Sequence, residues 1–507
     1  MMNCPSEVFV ISDLHLGGRY GSGDVPRTNP DCAASFPDEV AELAKGTRKR
    51  QDRGFRINTH ADELSAFLDE VAERAKSTGK CFELVINGDF VDFLAEEGPN
   101  PKRPWRPFID DQGEAIETLN AIAGRDSVVF ESLTALLRAG VSVTLLLGNH
   151  DVELSLPDVR YQLGCLLKVK PTSPFRFIYD GEAYLIGRDV LLEHGNRYDG
   201  WNVIDYERLR RFRAEASRGL EISGDAMFHP PPGSRMVETL MNPIKEQYAF
   251  IDLLKPENEA AIPLLLALEP AYMLEIEEAS GLHEEAEGYG PKAPARPARP
   301  GHIAKQGELG DRLQELLPKI DPGHWERLQA LVSEATLQQK KANRQIASGA
   351  LARALSFARL VTARSWEERL PLLLDGFREL QSDKSFDRSV ETEEHYLDAA
   401  MELATNGVRV VLFGHTHLAK DIQLGGGRRY LNTGAWADCL RVPKSVINGP
   451  REHALAALNT FAAAVCMNRF DDYIEFAPTF GHILMGDDGQ CISATLHDYK
   501  AGQVQQL

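Results

Sequence analysis

Short apolar runs punctuate this chain, and most are cut off by a small, acidic or amide residue. Glu7–Ser12 reads EVFVIS, Phe82–Asn87 FELVIN, Val141–Leu147 VSVTLLL, Val190–Glu193 VLLE and Val408–Phe413 VRVVLF. Runs this short, rich in Val, Ile, Leu and Phe, predict strands covered on both faces. Between them the period changes. Leu64, Phe67, Leu68 and Val71 recur at the spacing of one helix face, with Asn58 or Thr59 available as a cap. Val129, Leu133, Leu136 and Leu137 do the same after Asp126. Strand alternating with helix predicts an α/β layer fold. In such folds ligands bind beyond the carboxyl ends of the strands.

The chemistry sits at those ends. Five motifs follow the five runs: Asp13-Leu14-His15, Gly88-Asp89-Phe90-Val91-Asp92, Gly148-Asn149-His150-Asp151, Glu193-His194-Gly195 and Gly414-His415-Thr416-His417. Placed at carboxyl ends, they can converge on one site. Residues i and i+2 of an extended chain point the same way. Asp13 with His15, and His415 with His417, therefore each offer two ligands to one place. Imidazole, carboxylate and amide oxygen together suit Zn, Mn, Fe or Ni rather than Ca or a thiolate-bound metal. No cysteine lies in a motif. Two metals about 3.5–4 Å apart need a bridging carboxylate, and Asp89 is the natural bridge. A lone buried histidine is usually structural; five histidines set in motifs in this order outweigh that reading.

The set resembles that of the calcineurin-like metallophosphoesterase superfamily, whose pattern is D-x-H, GD-x-x-D, GNH-[DE], H and GH-x-H. The resemblance covers residues 7–205 and 405–440 and holds at every motif position. It implies an α/β fold, a four-layer α/β sandwich around two central sheets. It implies that Asp13, His15, Asp89 and His417 hold one metal and that Asp89, Asn149, His194 and His415 hold a second. Manganese is the first expectation, with zinc, iron or nickel open. It places His150 near the leaving group with Asp151 steering its ring, and gives Asp92 a supporting hydrogen bond to the ligands. The implied activity is hydrolysis of a phosphodiester or pyrophosphate by in-line attack of a metal-bridging hydroxide, available because bound water falls to a pKa of about 7. His150 would donate to the departing oxygen. A nuclease or a phosphomonoesterase of the same fold is the alternative, and a scaffold binding partners through the insertion described below is another. The DLHLGG opening and GDFVDF resemble the UDP-2,3-diacylglucosamine hydrolase branch, which typically carries Arg where this chain has His150 and lacks so large an insertion.

Composition narrows this reading. The chain has 507 residues, 26% of them charged, and a net charge of −19. That length fits one large domain with an insertion, or two to three domains. An acidic surface opposes non-specific binding to nucleic acid or anionic membrane, though not a local basic patch. A phosphoester substrate, a nucleotide or a lipid-linked diester, is the expected partner. Seven cysteines at 4, 32, 81, 165, 439, 466 and 491 form no disulfide framework and no metal-type pair. Cys81 and Cys165 lie in or near apolar runs and are expected as buried free thiols. Ala260–Leu274 is too short for a membrane span and holds Pro263 and Glu269. With no leader pattern before the first strand, a cytoplasmic enzyme without an integral membrane segment is the expectation.

A long segment separates the His194 and His415 strands. Residues 1–205 and 391–507 are expected to form the core, and 206–390 a mostly helical insertion. Asp205–Gly224 is Arg-rich and helix-like. Pro291, Pro294, Pro297 and Pro300 mark 288–310 as a linker or loop. Helical spacing resumes with Leu328, Leu331, Val332 and Ala335 and continues, with breaks, to about Leu380. Glu391–Leu403 reads as the core helix before the His415 strand. The insertion leaves at the metal face, as a cap over the substrate or as a dimerisation or stability module. Two further loops leave there. One carries Arg19, Arg27, Arg48, Lys49, Arg50, Arg53 and Arg56, the other Lys102, Arg103, Trp105 and Arg106. They either hold extra phosphates, with Trp105 stacking on a base, or form a solvated surface. Arg197, three residues past His194, is the better candidate for substrate phosphate. After the last motif, Arg428–Gly434 resembles the strand and turn that follow GHxH in the superfamily. The runs HILM and CISATL either finish the second sheet or form an appendage.

Overall fold

The computed structural model describes residues 5–19, 54–100, 104–222, 224–245, 248–255, 260–269, 365–380, 383–405 and 407–507. The five apolar runs are strands β1 (Glu7–Ile11), β2 (Phe82–Asn87), β3 (Ser142–Leu146), β6 (Val190–Leu192) and β7 (Val410–Phe413). The others are β4 (Phe175–Ile178), β5 (Tyr184–Ile186), β8 (Lys420–Gly425), β9 (Arg428–Asn432), β10 (Cys439–Leu440), β11 (Ile474–Glu475), β12 (Thr479–Met485) and β13 (Cys491–Asp498). They form a six-stranded sheet, β13-β12-β1-β2-β3-β4, a five-stranded sheet, β5-β6-β7-β9-β8, and a small β10-β11 pair. The motif strands run parallel within each sheet, β1-β2-β3 in one and β6-β7 in the other, where β9 also runs parallel to β7. Their carboxyl ends therefore share one rim.

Side-chain alternation builds the layers. Val8 and Val10 of β1 meet Val410 and Leu412 of β7, with Val85, Leu146, Val190, Leu192 and Leu431, in a core between the sheets. The intervening Phe9 and Ile11 face outward onto helices α1 (Ala61–Thr78), α2 (Gln112–Arg125), α3 (Ser127–Arg138) and α4 (Pro157–Leu166). Val411 and Phe413 face the other way onto Tyr396, Ala399 and Ala400 of a helix spanning Glu394–Leu403. With period two, one strand covers two layers at once. The result is helix, sheet, sheet, helix, the four-layer α/β sandwich. The segment Tyr206–Ala216, called α5, packs Leu209 and Phe212 into the first helical layer beside Phe108.

A second apolar cluster lies beside this sandwich. It joins α6 (Ile262–Leu268), α7 (Trp366–Leu380) and α9 (Arg451–Cys466), the core helix Glu394–Leu403 being α8. Leu264, Leu373, Phe377, Leu458 and Phe461 are fully buried there. Each contributes about 1.5–3 kcal/mol by leaving water. The cluster thus joins helices from within 206–390 to one after it. It reaches the sandwich through Ile57, Ala437 and Leu440, and an isolated bridge pairs Leu254 with Leu440.

Several expectations change. β12 and β13 are neither an appendage nor part of the β6-β7 sheet: β12 pairs antiparallel with β1 and carries β13 outside it. Neither Asn58 nor Thr59 caps α1, whose N-cap is His60. Asn58 instead donates to the Leu14 carbonyl at 2.6 Å and Thr59 to Asp438 at 2.8 Å. Cys81 and Cys165 are free but exposed, because each lies at the edge of its apolar run. Cys466, buried in α9, is disulfide-bonded. Among the described residues no helix is long and apolar enough to cross a membrane. The Pro-rich 288–310 segment and the helical pattern from Leu328 up to residue 364 lie outside the described residues, as do Arg27, Arg48, Lys49, Arg50, Arg53, Lys102 and Arg103, whereas the end of that pattern is α7.

Candidate metal centre

Three of the five motif strands, β1, β2 and β7, end in a turn that non-glycine residues rarely make. Among the described residues, seven non-glycine positions have positive φ, and Asp13 (54°), His15 (42°), Asp89 (49°), His415 (69°) and His417 (59°) are five of them. Each such turn costs about 1–3 kcal/mol, and such strain persists where surrounding structure enforces it. Here it turns both members of a D-x-H or H-x-H pair inward. The glycines of two motifs make room for their neighbours. A Cβ on Gly88 would lie 2.3 Å from His194 Nδ1, and one on Gly148 would lie 2.0 Å from an Asp89 oxygen.

Three groups of side chains converge within 4.8 Å of mutual reach: Asp13, His15 and His417; His15, Asp89 and His150; and Asp89, His194 and His415. Asp89 is at the centre. Its Oδ2 lies 3.7 Å from His15 Nε2 and 3.1 Å from His194 Nε2, so one oxygen serves two groups. Asn149 joins the second group, with Oδ1 3.2 Å from His194 Nε2. His417 Nε2 is 3.5 Å from Asp13 and 2.9 Å from His15 Nε2.

Hydrogen bonds behind these side chains fix which atoms point inward. His194 Nδ1 donates to the Asn87 carbonyl at 2.8 Å, which turns Nε2 toward the centre. His15 Nδ1 faces Asp92 Oδ2 at 3.3 Å, and His150 Nδ1 faces Asp92 Oδ1 at 3.1 Å. Asp92 therefore holds two rings at once. The Asp13 carboxylate accepts the His415 N–H, and Asp89 Oδ1 accepts the His150 N–H at 2.9 Å. Asp151 does not reach the His150 ring. Its two oxygens accept from Phe90 N at 2.8 Å and Gly148 N at 2.7 Å, tying two motif turns together.

The electrostatics fit a cation-binding cage. Burial lowers the His194 and His150 rings, but Asp89, and for His150 first Asp92, overcome it and push them up to about 10 and about 9. Burial and the Asp89 charge push Asp151 up to about 7. Burial, aided by Lys255, holds His417 well below the ordinary imidazole range. Buried carboxylates crowded with imidazoles whose nitrogens aim at one another make a donor set that fits a pair of divalent cations: N and O ligands shared through one carboxylate, with second hydrogen bonds fixing the rings.

The loop residues do other work. Arg56 is buried and paired with Asp126. Trp105 is buried, its ring 4.2 Å from Phe55, so it does not stack on a ligand. Arg106 is paired with Glu114. Arg197 is half exposed at a cleft shared with Glu193, His194 and Tyr206; it donates to the Gly181 carbonyl at 2.8 Å and lies 3.5 Å from Glu193. Sequence reading missed Asp199 and Asn202. Asp199 Oδ2 is 3.0 Å from His415 Nε2 and 2.7 Å from Asn202 Nδ2. The only signal was a pair of polar residues shortly after His194, ordinary in any turn. Asn432, which donates to the Gly414 carbonyl at 2.7 Å, was also missed.

Residues 7–254 match the family model described as calcineurin-like phosphoesterase. No curated protein matches the chain.

Proposed function

From the premise that residues 7–254 place this chain in the calcineurin-like metallophosphoesterase superfamily, we propose that it is a dinuclear-metal phosphodiesterase or pyrophosphatase. The observation that carries this is the single Asp89 oxygen lying between two donor groups, with His150 beside them. In this reading Asp13, His15, Asp89 and His417 hold one ion, and Asp89, Asn149, His194 and His415 the other. Manganese is the first expectation, with zinc, iron or nickel as alternatives. Bound there, the ions would supply Lewis acidity and a nucleophile at neutral pH.

The chain's own residues do the rest. The side chain of His150 is 24% exposed, against 0% for His15, 2% for His194, 8% for His415 and 14% for His417. It is the ring most open to a substrate. Asp92 anchors its Nδ1 and raises its proton affinity, so Nε2 carries a proton to the leaving oxygen. Asp151 keeps the Phe90 and Gly148 turns in register, so it serves catalysis through the backbone. Arg197 is the candidate for a substrate phosphate oxygen. We assign the segment after α5 to shaping the substrate approach. In support, Asn242 donates to the Leu94 carbonyl, two residues past Asp92, at 2.9 Å, and Lys245 to the Phe55 carbonyl at 3.3 Å.

The test is hydrolysis of bis(p-nitrophenyl) phosphate against p-nitrophenyl phosphate with Mn²⁺. The proposal expects the diester to be preferred. Monoester preference would redirect it to a phosphatase. No turnover of either with Mn, Zn, Fe or Ni, nor of nucleotide pyrophosphates, would sink it and favour a scaffold.

A further inference from the structure

Two ligands of the second group are aimed by one short loop, residues 196–202, which leaves the sheet directly after His194. Asp199 Oδ2 accepts from His415 Nε2 at 3.0 Å and from Asn202 Nδ2 at 2.7 Å, while Oδ1 accepts the Trp201 N–H at 2.9 Å. An ionised carboxylate only accepts, so it dictates the state of each partner. His415 must carry its proton on Nε2, which leaves Nδ1 as the bare nitrogen. Asn202 must turn its NH2 toward Asp199, which leaves its Oδ1 facing Asn149 Nδ2 at 3.4 Å. Asn149 then has its NH2 held outward and its Oδ1 turned to the centre, 3.2 Å from His194 Nε2. One carboxylate therefore chooses the ligand atom of two residues.

The loop is braced for this task. Asn196 Nδ2 donates to the Asn202 carbonyl at 2.9 Å, and the Trp201 carbonyl accepts from Gly233 N at 2.7 Å. A Cβ on Gly233 would lie 2.4 Å from Asn202 Oδ1, so the segment after α5 closes directly on this amide. The other metal group has a separate anchor: Asp92 holds His15, and the hydrogen bonds named above for Asn196, Asp199 and Asn202 do not reach Asp13, His15 or His417.

We propose that Asp199 and Asn202 are positioning residues that set the affinity of the second divalent ion alone, by fixing His415 as an Nδ1 ligand and Asn149 as an oxygen ligand. The inference rests on the dinuclear reading above. Supporting hydrogen bonds of this kind are worth about 10–100-fold in metal affinity.

The experiment is calorimetric titration of the full chain with Mn²⁺, with electron paramagnetic resonance of the loaded protein, for wild type, Asp199→Asn and Asn202→Ala. Wild type is expected to bind two ions and give the spectrum of a coupled manganese pair. Each variant should keep one ion at wild-type affinity, weaken the other by about 10–100-fold, and give an isolated-ion spectrum at low loading. Asp199→Asn preserves shape, and Asn202→Ala breaks the chain from its other end, so the two do not share one folding risk. Variants that bind both ions as wild type does, or that weaken both ions alike, overturn the inference. A wild type that binds fewer than two ions fails the dinuclear reading itself, whatever the variants do.

Discussion

Along the shared rim of the two sheets, Asp13, Asp89, Asp92 and Asp151 are buried together; in the helical layer beside it, Leu264, Leu373, Phe377, Leu458 and Phe461 are buried against one another. Both regions exclude water, with opposite consequences. The rim confines charge and holds five candidate ligand positions in left-handed backbone. Neither helps a metal-free chain fold. The helical layer gains stability with each side chain it covers. Among the described residues, the candidate metal groups lie wholly on the rim. Stability is generated in the apolar layers and is used at the rim to keep strained, charged side chains in place.

Mutations should separate the two regions. The largest effect is expected from Asp89→Asn, which removes the shared oxygen's charge: diester turnover should fall by about 10³-fold or more, with the fold intact by circular dichroism. Phe461→Ala should do the reverse. It should cost about 3–5 kcal/mol in denaturant unfolding and leave kcat of the surviving folded enzyme near wild type. A large loss of kcat there would show that the helical layer takes part in the chemistry. His150→Gln should lower kcat by about 10²-fold without changing the number of ions bound. Loss of an ion in that variant would make His150 a ligand instead of a proton donor.

The smallest effect concerns pH. Burial pushes the Glu153 carboxyl up to about 8, despite the Ile109 N–H that it accepts at 2.8 Å. Raised above its unfolded value, this group binds more protons in the folded state, so stability falls as pH climbs from about 4.5 to about 8. Glu153→Gln keeps an acceptor for Ile109 and should flatten that part of the Tm profile, as melting curves across the window would show.

The same contrast governs how much was legible in the sequence. The motif strands were, because a run such as VRVVLF ending in Gly-His fits little else. The clustering of the motif side chains was legible because metal chemistry restricts residue types. Asp199 and Asn202 were not: a carboxylate and an amide in a turn are common, and only the fold brings them to His415 and Asn149. Asp92 rather than Asp151 behind His150 was equally invisible, since adjacency in sequence favoured Asp151. Arg56 and Trp105 read as surface groups because charge and aromaticity do not reveal a buried partner such as Asp126 or Phe55. In the helical layer, the periodicity of α9 gives one apolar face but not the layer it covers. Pairing of β12 with β1 depends on long-range contact, which local pattern does not encode.

Anomalous diffraction from crystals of the full chain soaked in Mn²⁺ would locate the ions. Two peaks about 3.5–4 Å apart are expected, one beside Asp13, His15 and His417, the other beside Asn149, His194 and His415, with Asp89 between them. A single peak, or none at the rim, would contradict the dinuclear reading.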